Sequence, residues 1–206
     1  MKFTELKELL KIYTHRHING RREPVPLLDD YINSVAKDYF QHTKKAAGSM
    51  AITTVSGTES YTLTTVIETS TVPIKTYFAV DSLVYNGDDI TIYKANIKDL
   101  ETTPYHTDKQ YWFIYNGNIY FHPAPDGAYT ATVYGRYFPT YGQGDQPIGD
   151  ASDGMTIKLG CQAMLENDFG DLNRGAHLRQ QYETEKRLAS RGYIETQDNS
   201  YRLYDL

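Results

Sequence analysis

Apolar residues recur along this chain in two rhythms, one helical and one alternating. Phe3, Leu6, Leu9, Leu10 and Tyr13 fall at helical spacing, with Thr4 placed to cap and Glu5 and Glu8 near the positive end of the macrodipole. The stretch HRHINGRREPVP (15–26) then breaks the pattern with Asn19-Gly20 and two prolines. A second helix is predicted from Pro26 or Leu27, since proline is tolerated in a first turn. Its stripe is Leu28, Ile32, Val35, Ala36, Tyr39 and Phe40, with Lys44-Lys45 at the negative end.

From Gly48 the period drops to two. AITTVSG and ESYTLTTV read as strands around Ser56-Gly57-Thr58-Glu59. Ile74 to Tyr85 and Ile90 to Lys94 read as a hairpin about Asn86-Gly87, and residues 97–103 as a short helical turn or linker. The clearest stretch runs from Tyr111 to Pro139. Tyr111–Tyr115 and Ile119–His122 flank Asn116-Gly117, a pair that reaches the positive φ values of a type I′ turn cheaply. Pro123-Ala124-Pro125-Asp126-Gly127 must leave the sheet, because proline cannot donate to a ladder. A further strand, Tyr129 to Tyr137, alternates Ala131, Val133 and Gly135 with Thr130, Thr132, Tyr134 and Arg136. Six to eight short strands suggest a sandwich or open barrel.

Helical rhythm returns near the end. Thr140 to Gly154 is rich in Gly and Asp with few core-forming residues, and a loop of that length is more often functional or disordered than structural. Asp153 is placed to cap a third helix from Met155 to Phe169, with Ile157, Cys161, Met164 and Leu165 on its apolar side and Gly170 as the stop. A fourth, near Arg174 to Arg191, carries Leu178, Tyr182, Glu185 and Leu188 on one side and ends at Gly192. The remainder, 193–206, holds Tyr193, Ile194, Tyr201, Leu203, Tyr204 and Leu206, too apolar for a solvated tail. It is expected to dock on its own helices or on a partner. The fold class is therefore α+β: helices 1–47 and 155–191 close into a four-helix bundle, from which an inserted antiparallel β-module, 48–139, projects. An acidic loop, 140–154, and a tail, 192–206, complete the chain.

Charge refines this picture. The net −5 divides unevenly: residues 1–47 carry nine Lys/Arg against six Asp/Glu, 48–154 five against twelve, and 155–206 seven against eight. An acidic middle opposes tight phosphate binding, which needs clustered cations. The 19 tyrosines suit surfaces that become buried on assembly. One cysteine leaves neither an internal disulfide nor a Cys-based metal cluster. No signal peptide or apolar run of ~20 residues is visible, so synthesis in a cytoplasm without membrane insertion is expected.

Candidate chemistry is thin. His15 and His17 form a His-x-His pair, but Arg16, Arg21 and Arg22 make the surroundings electropositive and no third ligand is near. Asp29-Asp30 and Asp88-Asp89 cannot straddle one bond, since neighbours on a helix diverge by about 100° and neighbours on a strand face opposite ways. Cys161 lies on an apolar helix face, and Ser56 and Ser60 lack a nucleophile-elbow setting. GQGDQPIG has no following lysine to cradle phosphate. No catalytic residue, metal or cofactor is expected. Tyr111, Trp112 and Tyr120 could stack on sugars, which leaves a carbohydrate- or receptor-binding β-module as the alternative; on a β-face such rings are more often core or subunit interface.

Two features combine with the element order. A Gly turn is followed by Tyr-x-Leu (Gly57, Tyr61, Leu63), and a hairpin ends in Pro-x-Pro-Asp (Pro123, Pro125, Asp126) ahead of a Tyr-ended strand. A small, apolar helix then runs into Phe169-Gly170. In this order the chain resembles tailed-bacteriophage head-to-tail adaptor proteins, with Leu63-Thr64 where the family usually has Leu-Pro. The resemblance implies a virion protein at the head-tail junction, made in the host cytoplasm, that forms a dodecameric ring with copies of itself below the portal protein. DNA would pass through the ring without sequence-specific contact, and a downstream tail (nozzle) protein would dock on the β-module side. On that reading Tyr193, Ile194, Tyr201, Leu203, Tyr204 and Leu206 bind portal. Asp145, Asp150 and Asp153 edge the DNA channel, and Tyr111, Trp112, Tyr120 and Tyr134 form the β-module interface.

Overall fold

The structure, a computed structural model, describes residues 1–18, 27–64, 72–86, 92–95, 110–142 and 144–202, with backbone alone at 86, 92, 110 and 192–202. It is α+β and divides into two units: one of 1–46, 66–75 and 138–206, the other of 47–65 and 76–137.

Four described helices build the first unit: α1 (Phe3–His17), α2 (Leu28–Thr43), α3 (Ala151–Phe169) and α4 (Leu172–Arg202). The apolar stripes do what their spacing predicts. Phe3, Leu6, Leu10 and Tyr13 of α1, the whole predicted stripe of α2, and Ile157, Cys161 and Leu165 of α3 share one core. Helix α3 is the hub, touching α1, α2 and α4. Gly160 permits this, because a Cβ there would sit 2.5 Å from Val35 Cγ1 and 3.1 Å from the Tyr182 ring.

Several boundaries differ from expectation. Helix α1 runs on through His17, so His15 and His17 lie two residues apart on a helix and point to nearly opposite sides. Thr4 is inside that helix and does not cap it: its hydroxyl donates to Asp145, while the Glu5 carboxylate accepts the Lys2 N–H at 3.2 Å. Helix α3 starts at Ala151, not Met155, with Asp150 as its cap: Asp150 Oδ1 accepts Asp153 N–H at 2.8 Å and Asp153 Oδ2 returns the bond to Asp150 N–H at 3.0 Å. Gly192 does not end α4, whose backbone stays helical to Arg202. The buried side of α4 is Tyr182 and Lys186, flanked by half-buried Leu178 and Ala189, whereas Glu185 and Leu188 face solvent. The segment 140–154 is not core-free either. Tyr141, Gln146 and Ile148 are buried, and Phe3 N–H to Gln146 O (2.8 Å) and Ile148 N–H to Met1 O (2.9 Å) zip it to the chain's first residues.

Seven described strands make two sheets in the second unit. One is ordered β1 (Ala47–Thr53), β7 (Thr130–Thr140), β3 (Ile74–Asn86); the other β2 (Ser60–Thr62), β6 (Asn118–His122), β5 (Gln110–Tyr115), β4 (Ile92–Lys94). They share a core of Ile52, Leu63, Tyr77, Val80, Trp112, Ile119, Phe121, Ala131 and Val133, as in a sandwich. The β5–β6 hairpin forms as predicted, with φ of 47° at Asn116 and 76° at Gly117. The hairpin expected about Asn86-Gly87 does not, because β3 and β4 belong to different sheets; β4 instead pairs with β5 in parallel, the exception in an otherwise antiparallel set of described pairings. The helical turn expected at 97–103, the Asp88-Asp89 pair and Gly87 lie outside the described residues.

Candidate functional site

The sequence signals that stand closest together in space are the two motifs of the β unit. Tyr61 Oη caps the Gly57 turn, donating to Thr58 O at 2.9 Å and accepting Val55 N–H at 2.8 Å, while Leu63 fills the core below. Gly57 N–H donates to Pro125 O at 2.8 Å, and Asp126 Oδ1 accepts the Tyr129 hydroxyl at 2.8 Å. The Tyr-x-Leu turn and the Pro-x-Pro-Asp corner are thus two halves of one hydrogen-bonded corner.

Beside that corner lies the outer face of the four-stranded sheet. Side chains alternate along strands, so with Trp112, Ile119 and Phe121 turned inward, Tyr93, Tyr111, Phe113, Tyr115 and Tyr120 turn outward. Phe113 and Tyr120 stack with centroids 5.1 Å apart, Tyr115 and Tyr120 meet at 6.4 Å, and Tyr93 and Tyr111 at 6.1 Å. Tyr93 and Tyr115 are 44% and 50% exposed. The expected interface quartet therefore separates. Tyr111 and Tyr120 join this face, and Tyr134, 44% exposed, lies on the outer face of the other sheet. Trp112 is 4% exposed and belongs to the core, so it offers no stacking platform to a sugar or a neighbour.

The aspartates of 140–154 separate too. Asp145 is exposed and paired with Lys2 Nζ at 2.8 Å, a contact that lowers its pKa. Asp150 is an exposed helix cap whose pKa is held down by the Asp153 N–H against a smaller cost of burial. Asp153 cannot edge a channel, because it is buried: Oδ1 accepts Tyr39 Oη–H at 2.5 Å and Lys45 Nζ at 2.8 Å. Of the tail residues, Tyr193, Ile194 and Tyr201 lie on the helical backbone of α4, while Leu203, Tyr204 and Leu206 lie outside the described residues.

A recurring device in the helical unit escaped the sequence. Four tyrosines donate their hydroxyls to carboxylates on other helices: Tyr13 to Glu166 (2.6 Å), Tyr39 to Asp153, Tyr182 to Asp38 (2.6 Å), and Tyr31 to Asp168. Three of the four acceptors sit on α3. Glu166, itself buried, also accepts Asp171 N–H at 2.9 Å, pinning the turn into α4, and Arg174 Nε lies 3.4 Å away. Buried Lys186 reaches Asp38 at 2.8 Å and Glu183 at 3.0 Å. Burial first, then the neighbouring carboxylate, raises the pKa of Tyr13, Tyr39 and Tyr182, and pushes Tyr31 up to about 12. No periodicity announces such pairs; only the surplus of Tyr and Asp hinted at them. Cys161 is fully buried and its thiol pKa is pushed up, the setting of an inert core residue.

A match to the family model described as SU10 adaptor protein extends over residues 1–203, nearly the whole chain. The chain belongs to this family of phage head-to-tail adaptors. It is accordingly a phage structural adaptor and a virion component. No curated protein matches it. No helix among the described residues is long and apolar enough to cross a membrane.

Proposed function

We propose that this adaptor assembles as a ring of identical copies, twelve by the family resemblance, below the portal protein, surrounds the path of the DNA and presents a docking surface to the next tail component. The observation that carries the proposal is the family match across 1–203, since an adaptor must join unlike parts of the virion. The four helices, acting as a bundle, meet the portal. Four of their tyrosines are hydrogen-bonded to carboxylates on other helices, which suits a part that must hold its shape while being gripped.

The end of α4 extends that contact. The backbone is helical to Arg202, and Tyr193, Ile194 and Tyr201 on it, with Leu203, Tyr204 and Leu206 beyond, would bind the portal. Asp145 and Asp150 keep a negative edge on the 140–150 segment, against which DNA would slide without being held. In the β unit, Tyr111, Tyr120 and Tyr134 contribute to contacts between copies.

Native mass spectrometry of the chain mixed with its portal tests the reading. Several copies bound per portal ring are expected; a chain that never joins a portal assembly overturns it. Deleting 193–206 is expected to leave a folded protein with weakened portal attachment, and a truncated chain that unfolds would assign the segment to the core instead.

A further inference from the structure

The β unit carries two unlike outer faces on opposite sides of one sandwich. The four-stranded sheet shows the aromatic face of Tyr93, Tyr111, Phe113, Tyr115 and Tyr120. On the three-stranded sheet the register pairs Ser49 with Tyr134, Ala51 with Thr132 and Thr53 with Thr130, while Met50, Ile52, Ala131 and Val133 point into the core. Along β1 and β7 its outer face is therefore a low bed of Ser, Ala and Thr on which Tyr134 and, opposite Ala47 at one end, Arg136 stand. Apart from Arg136 the positions named on the two faces are uncharged, although the β unit, 47–65 and 76–137, holds four Lys/Arg against eight Asp/Glu. Among the described residues ion pairs lie at their rims: Arg136 Nε to Asp81 at 3.5 Å at the end of the small-residue bed, and His122 Nδ1 to Glu59 at 3.6 Å beside the aromatic one.

We infer that the partner of the aromatic face is a second copy of this chain, which presents its small-residue bed, so that each copy uses both faces and contacts run head to tail. The scarcity of charge on both faces selects this occupant. Two copies of so acidic a unit repel one another wherever carboxylates meet, and these two faces are surfaces they can bring together without that cost. Shape selects the pairing. Aromatic rings laid on rings would leave both beds open and stop at a dimer, whereas rings laid on a flat bed of short side chains give close contact and leave a free face at each end. A ring requires such a heterologous contact, the same two unlike patches meeting at every junction. The inference rests on the proposal that copies assemble on the portal, and names how they touch.

Thiol cross-linking tests it, with Cys161 buried and out of reach of a bis-maleimide. Phe113→Cys and Ala51→Cys proteins are mixed in equal amounts and assembled on portal, and native mass spectrometry counts the bound copies before the cross-linker is added. Cross-linked pairs of one variant with the other are expected, and a single chain carrying both changes is expected to give a ladder of multimers. Links between two Phe113→Cys chains, or multiple bound copies with no link between the variants, overturn the inference while leaving the ring standing. If no copies gather on portal and no links form, the ring proposal fails and this inference with it.

Discussion

The two units spend the same residue type in opposite ways. In the helical unit Tyr13, Tyr31, Tyr39 and Tyr182 each donate a hydroxyl hydrogen bond to a carboxylate on another helix, so the ring fills space and the oxygen fixes register. In the β unit tyrosines mainly meet other rings: Tyr77 lies against Tyr137 at 5.4 Å with its hydroxyl buried and unpaired among the described residues, and Tyr93, Tyr111, Tyr115 and Tyr120 face outward. A helical unit cross-linked by such tyrosine–carboxylate bonds favours one packing of its helices. A β unit that leaves aromatic surface uncovered is suited to having it covered by something else.

Glu166→Ala should break this contrast most severely. It strands the Tyr13 hydroxyl and the Asp171 N–H inside the helical unit, at a cost of about 3 kcal/mol. Denaturant unfolding followed by the helical circular dichroism signal reads it, and a loss under ~1 kcal/mol would mean water takes over the carboxylate's bonds.

Gly135→Ala and Gly160→Ala then compare the stiffness of the units. A Cβ at Gly135 meets the backbone carbonyl of Ala79 at 2.2 Å, which cannot move without distorting a strand, whereas at Gly160 it meets side chains of Val35 and Tyr182. The first is expected to cost about 2–3 kcal/mol. The second should cost about 1 kcal/mol, because alanine's better helix propensity offsets part of the clash. Equal values from thermal unfolding would show that the helices are as unyielding as the strand.

Tyr39→Phe removes one charge-assisted bond and leaves Asp153 with Lys45 and the Asp150 N–H, so about 1.5–2 kcal/mol is expected. The same hydroxyls set an alkaline limit. Their folded pKa values lie above the ordinary tyrosine value of 10, so their contribution is complete below that pH and is lost as pH rises from 10 towards the folded values. On the acid side, burial works against the Asp38 carboxylate but hydrogen bonds from Lys186 and Tyr182 outweigh it and hold its pKa below 3.8. That contribution is present above the ordinary value and disappears as pH falls through the lowered one. The helical signal should therefore weaken at both extremes, and in Tyr39→Phe the alkaline midpoint should move, its loss of stability above pH 10 being shallower than in the unaltered chain.

The smallest effect is expected at the aromatic face. Tyr115→Ser should change stability by no more than about 0.5 kcal/mol, since the side chain is half exposed and holds nothing inside. A larger loss would mean that the outward rings support the fold and are not held in reserve for a partner.

Much of this architecture was legible where one physical signal dominates. Helical spacing placed α1 and α2 and most of their buried residues, and Asn116-Gly117 announced its hairpin because few other pairs reach positive φ at both positions. Two misreadings share a cause, a polar residue taken for surface when it was paired inside. Asp153 read as a helix cap or channel edge, yet it is the acceptor of Tyr39 and Lys45. Lys186 interrupted the apolar stripe of α4 on paper, which shifted the expected stripe onto Glu185 and Leu188. The Asn86-Gly87 signal was sound as local turn chemistry, but pairing is decided across the sheet, and β3 and β4 went to different sheets. Trp112 was assigned outward because alternation alone does not say which parity faces the core.

Hydroxyl-radical footprinting of the free chain and of the portal-assembled particle, read tyrosine by tyrosine, bears most directly on the division of labour between the units. Tyr93, Tyr115 and Tyr134 should react readily in the free chain and become protected on assembly, while Tyr13, Tyr39 and Tyr182 stay protected in both. Outward rings as reactive in the particle as in the free chain, or buried helical tyrosines that become reactive on assembly, would contradict that division.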